Sequence, residues 1–114
     1  MTLGQKKIKF TVDIASLIIY AAGKAWDLQF QPEHCYHKQG SLHYIALAKD
    51  FNLFINGIWI KNSDAPEWIE LGNYWKSLST EDAKNTWGGD FDLNGDGKKG
   101  DDGGHFSIEH EGMK

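Results

Sequence analysis

The chain has 114 residues, of which 40% are hydrophobic and 13% aromatic, a composition typical of a folded globule and not of a disordered segment. Its net charge is -4 and its twelve basic residues are all lysines, which disfavours a nucleic-acid-binding protein, because arginine is the residue that contacts phosphates bidentately. The single cysteine, Cys35, excludes an internal disulfide and a zinc site built from several cysteines.

The length favours one domain spanning residues 1–114, and we expect residues 1–8 and 110–114 to be frayed. A basic N-terminal segment followed by an apolar run to Ala22 looks like a secretory signal, but Asp13 interrupts that run. We therefore predict no signal peptide, no transmembrane segment and no membrane partner. The expected protein is a monomer made in the cytoplasm.

An apolar face with the period of an α-helix predicts the first element of the fold. The residues on this face are Phe10, Ile14, Leu17, Ile18 and Ala21. We expect the helix to begin near Thr11 or Asp13 and to end at Gly23. The alternating residues from Trp26 to Gln31 then predict a strand that Pro32 stops.

A hairpin is predicted in the middle of the chain. From Ala48 onward the pattern is that of a strand, whose apolar face carries Phe51, Leu53 and Ile55 and whose other face carries Asp50 and Asn52. Asn56-Gly57 is the dipeptide most typical of a two-residue hairpin turn, so residues 58–60 are the expected return strand.

The last two predicted elements are a helix and a strand. Pro66 is well placed at the first position of a helix whose apolar residues are Trp68, Leu71, Trp75 and Leu78. Near the C-terminus, Phe106 and Ile108 alternate with His105 and Ser107, as in a strand. The predicted fold class is α+β, with a small antiparallel sheet, two main helices on one face and a zinc site on the other.

The segment from Trp87 to Ser107 carries five aspartates against two lysines and would repel itself unless it bound a cation. Its spacing matches a calcium loop, with oxygen ligands at alternate positions before a glycine. The candidate ligands are Asp90, Asp92, Asn94, Asp96 and Asp101. Two registers fit, and we prefer the one that begins at Asp90 and ends at Asp101. The alternative is a long hairpin loop rich in turn-forming residues.

A second site is predicted where Asp102 precedes His105 by three residues with only glycines between them. Zinc hydrolases need a neutral histidine on the metal and a carboxylate nearby to take a proton. If the strands that carry Asp50 and His105 are neighbours, these two side chains share a face, and His43 enters from the preceding loop. The segment His34-Cys35-x-His37 is a weaker metal candidate, because three ligands so close together rarely complete a tetrahedron.

Four motifs of this chain occur in the same order in the phage and bacterial peptidoglycan peptidases of the zinc L-alanyl-D-glutamate peptidase and D-alanyl-D-alanine carboxypeptidase group. They are S-L-H-x-x-A-L-A-x-D (41–50), L-G-x-Y-W-x-S-L (71–78), W-G-G-D-F (87–91) and D-G-G-H-F (102–106). The chain resembles this family from Phe10 to Ile108. The resemblance implies zinc on His43, Asp50 and His105, with Asp102 as the general base.

The implied function is endolysin-like hydrolysis of an amide bond in the peptidoglycan stem peptide by zinc-activated water, with L-Ala-D-Glu as the favoured bond. Some phage members also carry a calcium loop at the position of residues 90–101. The protein would reach the cell wall after release or holin-type export and act there as a bacteriolytic enzyme.

The chain departs from the family in lacking an arginine that usually follows the first strand and helps to hold the substrate. Lys38 or His37 would have to replace it, and Ser41 is a further candidate for substrate contact. Two alternatives therefore stay open: a D,D-carboxypeptidase, or a catalytically silent, calcium-stabilised module that binds cell-wall peptide.

Overall fold

The computed structural model describes residues 1–32, 42, 46–91, 100 and 102–114, and in this part of the chain two α-helices and five strands form an α+β fold. Their bounds are α1 Leu3–Gly23, β1 Trp26–Phe30, β2 Ala48–Ile55, β3 Ile58–Trp59, α2 Pro66–Ser77, β4 Asn85–Trp87 and β5 His105–Ile108. A short 3-10 helix, Gly88–Asp90, follows β4. The predicted α+β class, with two main helices and a small antiparallel sheet, is confirmed.

Helix α1 ends at Gly23 as predicted but begins at Leu3, so the predicted start near Thr11 or Asp13 is wrong. Residues 3–8, which we expected to be frayed, are its first turns. A capping box fixes this start, because the Thr2 hydroxyl accepts from the Gln5 amide and the Gln5 side chain accepts from the Thr2 amide. The T-x-x-Q pattern was readable in the sequence.

The sheet is antiparallel throughout, with the order β1-β2-β5-β4. Strand β1 pairs with one edge of β2, and both β5 and β3 pair with the other edge. Strand β5 takes residues 48–50 of β2, whereas β3 takes residues 54–55. The two strands therefore diverge along a single edge of β2, and the residues between the two pairings border the gap.

The core lies between the apolar face of the sheet and the two helices. Phe51 of β2 and Phe106 of β5 are fully buried and lie edge to face, with ring centroids 5.9 Å apart. Trp75 of α2 contacts both Phe106 and Phe10 of α1 in the same edge-to-face manner. These aromatic contacts bury large apolar areas and fix the helices on the predicted face of the sheet.

Strand β4 was not predicted from the sequence. It has only three residues, and all of them are buried. Such a short segment shows no periodicity, so pairing with β5 defines it. At the C-terminus, His110 and Met113 exchange two backbone hydrogen bonds of 2.9 Å, although we had expected residues 110–114 to be frayed. None of the helices in the described ranges has the length and apolar character needed to cross a membrane.

Candidate metal site

The site begins with the register of β2 and β5, which places Asp50 directly opposite His105. The Asp50 carbonyl oxygen accepts from the Gln31 amide on the β1 side, whereas the Phe51 amide donates to the Gly104 carbonyl on the β5 side. The Asp50–His105 pair is consequently a non-hydrogen-bonded pair, the kind in which opposing side chains approach most closely. The two strands are neighbours, so the condition under which Asp50 and His105 share a face is met.

The two side chains meet on the polar face of the sheet. The Nδ1 atom of His105 lies 3.1 Å from Oδ1 of Asp50. The imidazole is 9% exposed and the carboxylate 25% exposed, so both groups are partly withdrawn from water. The ring of Phe91 packs near the imidazole, with centroids 5.5 Å apart. A contact between polar groups in such surroundings is stronger than it would be on the open surface.

Asp102 joins this pair through the turn that leads into β5. The His105 amide donates to the Asp102 carbonyl at 3.1 Å, which closes the turn. Oδ2 of Asp102 then lies 3.9 Å from Nδ1 of His105. With 40% of its side chain exposed, Asp102 is the most accessible of the three groups.

Glycines let the chain segments around this turn approach closely. A Cβ atom on Gly104 would overlap the Phe51 carbonyl oxygen, and one on Gly103 would overlap Ser63. Gly88 has the same constraint against the Asp102 carbonyl and the His105 side chain. The glycines of the D-G-G-H and W-G-G-D motifs are thus explained by close packing, since none of these three has a positive φ.

Trp87 stabilises the turn between Asp102 and His105. Its indole nitrogen donates to the Gly103 carbonyl at 2.7 Å, and its ring lies so close to Gly72 and Gly89 that a Cβ atom on either would overlap it. The Gly103 amide donates in turn to the Ser63 hydroxyl at 2.8 Å. Asp102 and His105 therefore project from a turn whose backbone is fixed by Trp87 on β4 and by Ser63 in the loop before α2.

The electrostatic environment favours a protonated Asp102 more than water would. Burial raises the pKa of the Asp102 carboxyl above its usual range. The imidazole of His105 lowers this pKa and the carboxylate of Asp50 raises it, and both effects are smaller than that of burial. An aspartate with a raised pKa is better suited to exchange protons near neutral pH than an ordinary one.

One ligand atom each of Asp50, Asp102 and His105 lies within 4.8 Å of the others, so the group could hold a metal ion. Two ligands of one zinc ion sit at most about 4.3 Å apart, because each lies about 2.0–2.2 Å from the metal. The Asp50–His105 separation of 3.1 Å satisfies this limit. An imidazole nitrogen with carboxylate oxygens suits zinc and several other divalent first-row ions.

Several predicted site residues lie outside the described residues. These are His43 of the zinc set, Ser41, His37 and Lys38 of the substrate set, the H-C-x-H segment, and the calcium candidates Asp92, Asn94, Asp96 and Asp101. Asp90, the first calcium candidate, is described, and its carboxylate accepts from Lys76 Nζ at 2.8 Å.

The sequence did not point to Trp87 or Ser63 as parts of the site. Trp87 was readable only as a member of a motif, and a lone serine in the turn before α2 carries no signal. The approach of these residues to Gly103 depends on tertiary structure.

Comparisons of the chain with protein-family models, curated proteins and solved structures found no match.

Proposed function

We propose that the protein is a zinc-dependent peptidoglycan peptidase that hydrolyses an amide bond in the stem peptide, with L-Ala-D-Glu as the favoured bond. The observation that carries the proposal is the convergence of Asp50 on β2 with Asp102 and His105, which lie in the turn before β5 and at the start of β5, His105 being 55 positions from Asp50 in sequence. The four-motif resemblance supports the same conclusion and supplies the substrate class.

In this proposal Asp50 and His105 hold the ion, together with His43, which lies outside the described residues. A bound divalent ion would supply a nucleophile at neutral pH and polarise the scissile carbonyl. Asp50 also accepts a hydrogen bond or shares an ion with the imidazole at 3.1 Å, which orients the ring. The two residues need no large rearrangement, because the β2–β5 ladder already sets their separation.

Asp102 acts as the general base in this proposal. Its carboxylate accepts a proton as the nucleophile attacks and returns it to the leaving amine. Its backbone is fixed, because the Asp102 amide donates to the Gly88 carbonyl at 3.2 Å and its own carbonyl accepts from His105. Its carboxylate nevertheless remains accessible to a substrate, unlike the buried His105.

The test compares zinc content and hydrolysis of purified cell wall for the wild type, Asp102→Asn and Asp50→Asn. Loss of a general base lowers the rate by about 10²- to 10⁴-fold, so Asp102→Asn should retain zinc and lose activity to this extent. Asp50→Asn should lose both zinc and activity. Asp27→Asn, which neutralises an exposed carboxylate on β1, is the matched control and should behave as the wild type.

Mapping the new termini on the released fragments identifies the bond. New N-terminal D-Glu supports the L-Ala-D-Glu assignment, and release of terminal D-Ala would assign a D,D-carboxypeptidase. A wild type that is fully occupied by zinc yet releases no fragment from any cell wall would contradict the proposal and support a silent binding module.

A further inference from the structure

A groove of about 260 Å³ opens where β3 and β5 diverge along the edge of β2. Its floor is the middle of β2, at Phe51 and Asn52, and the buried ring of Trp68. One wall is the turn before β5, which includes Asp102, and the other is the end of β3 with Lys61. The groove therefore runs from the candidate metal site toward the β2–β3 hairpin.

Hydrogen bonds fix the backbone of both walls of the groove. The Ile60 amide donates to the Leu53 carbonyl at 2.8 Å, and the Trp68 indole nitrogen donates to the Ile60 carbonyl at 2.8 Å. On the other wall, the Gly103 amide donates to Ser63 Oγ. Because these contacts use backbone groups of both walls, the groove is built into the fold and does not depend on a chance side-chain arrangement.

Lys61 supplies the positive charge among the described residues that line the groove. Its Nζ atom lies 4.5 Å from the ring centroid of Trp59, and in the described part of the chain it forms no ion pair with a carboxylate. Lys9, Lys24 and Lys76 do form such pairs. The Lys61 ammonium is thus positioned by an aromatic face and keeps its hydrogen-bond donors for a ligand.

Neutral polar groups of the groove complement this cation. Ser63 Oγ accepts from the Gly103 amide, so its own proton is available for donation to an acceptor. Gln31 and Asn52 add side-chain amides, and Trp59, with 49% of its surface exposed, offers an apolar contact at the rim. The chemistry fits a short peptide segment that carries a carboxylate several ångströms from the bond next to Asp102.

We propose that this groove binds the part of the stem peptide that carries a free carboxylate, and that Lys61 recognises that carboxylate. The inference rests on the proposed function for the identity of the ligand. It makes Lys61 a specificity-determining residue, which acts on binding and not on the chemical step.

The test uses two stem-peptide fragments that contain the L-Ala-D-Glu bond and differ in one group. In one the free carboxylate of D-Glu is intact, and in the other it is a carboxamide. Binding to the zinc-loaded protein is measured by calorimetry, and hydrolysis is followed separately. A partly exposed charge pair is worth about 1 kcal/mol, so the wild type should bind the carboxylate form roughly fivefold more tightly at low salt.

In Lys61→Gln this preference should fall to about one, while the affinity for the carboxamide form stays unchanged. The loss should appear in KM, with kcat retained, and the wild-type preference should shrink with added salt. Lys24→Gln is the matched control, because it removes an ammonium that also lies over a tryptophan, Trp26, but outside the groove. It should keep the full preference.

The two readouts separate the two claims. If the wild type binds both fragments equally, or if Lys61→Gln keeps the preference, the groove assignment is wrong even when both fragments are cut. If neither fragment is cut by zinc-loaded protein but the preference depends on Lys61, the peptidase proposal fails and the groove assignment stands. Binding that depends on the sugar portion of longer fragments, without any effect of the carboxylate, would assign the groove to the glycan instead.

Discussion

Two clusters of charged side chains join distant parts of the chain, and they differ in the balance of charge among their described residues. In the first, Lys9 of α1 forms a salt bridge with Asp13 one turn later and also donates to Asn85 and to the Leu78 carbonyl. In the second, Asp50 and Asp102 face the single imidazole of His105.

In the first cluster, both charged side chains have partners of complementary charge or polarity. The Asn85 side chain donates to Asp13 at 3.1 Å, so the carboxylate has both a cation and a neutral donor, and each side chain of the ion pair is only 12% exposed. Among the described residues of the second cluster, two carboxylates face one imidazole; burial raises the pKa of Asp102, and repulsion from Asp50 raises it further. The comparison indicates that the first cluster stabilises the fold, whereas the second is suited to bind a cation.

The largest expected effect comes from Lys9→Met, which breaks the cluster of Lys9, Asp13 and Asn85. Removing one partner of a buried ion pair leaves an uncompensated charge, so the free energy of unfolding should fall by about 3 kcal/mol. Urea denaturation measures this change. The double variant Lys9→Met/Asp13→Leu should recover much of the loss, and a double variant no more stable than Lys9→Met would show that packing, not charge, holds this cluster.

A second, somewhat smaller effect should come from metal binding at the cluster of Asp50, Asp102 and His105. Adding zinc to chelator-treated protein at about 100 times the dissociation constant should raise the free energy of unfolding by about 2.7 kcal/mol. Thermal denaturation with and without zinc measures the shift. Lys9→Met should show the same increment on its lower baseline, whereas Asp50→Asn should show almost none. An undiminished increment in Asp50→Asn would place the ion elsewhere.

The smallest effect should come from removing the hydrogen bond by which Trp87 supports the turn that carries Asp102. Trp87→Phe removes the hydrogen bond to the Gly103 carbonyl and should cost about 1 kcal/mol of stability. Loss of such a supporting contact should also weaken zinc binding by about tenfold. Trp68→Phe removes an equivalent bond to the Ile60 carbonyl and should cost similar stability with unchanged zinc affinity. Equal zinc affinities in the two variants would contradict this role of Trp87.

The elements with a clear period were predictable from the sequence. Helix α2, the C-terminal end of α1, the strand from Ala48, the Asn56-Gly57 turn and the strand that begins at His105 appear where the patterns indicated. Periodic burial of apolar side chains is a local property, so it can be read without knowing what packs against it. The start of α1 was misplaced because the T-x-x-Q capping pattern was overlooked, although that signal is local as well.

The candidate site was predictable only in part. The sequence indicated that Asp50 and His105 occupy the polar faces of two strands, and Asp102 was readable from its spacing to His105. Their contact depends on the register of β2 and β5, because a shift of one residue in this pairing would turn the two side chains to opposite faces of the sheet. The i,i+4 spacing of Lys9 and Asp13 is local, but the contact of Asn85 with Asp13, 72 positions away, depends on tertiary structure.

By itself, the sequence determined the helices, most strands and the chemical types of the residues available for a metal site. Tertiary structure alone decided that β3 and β5 share one edge of β2, and hence that a groove with Lys61 on its wall leads to Asp102. The physical reason is that periodicity and capping act over a few residues, whereas strand pairing and close glycine contacts depend on segments brought together by folding.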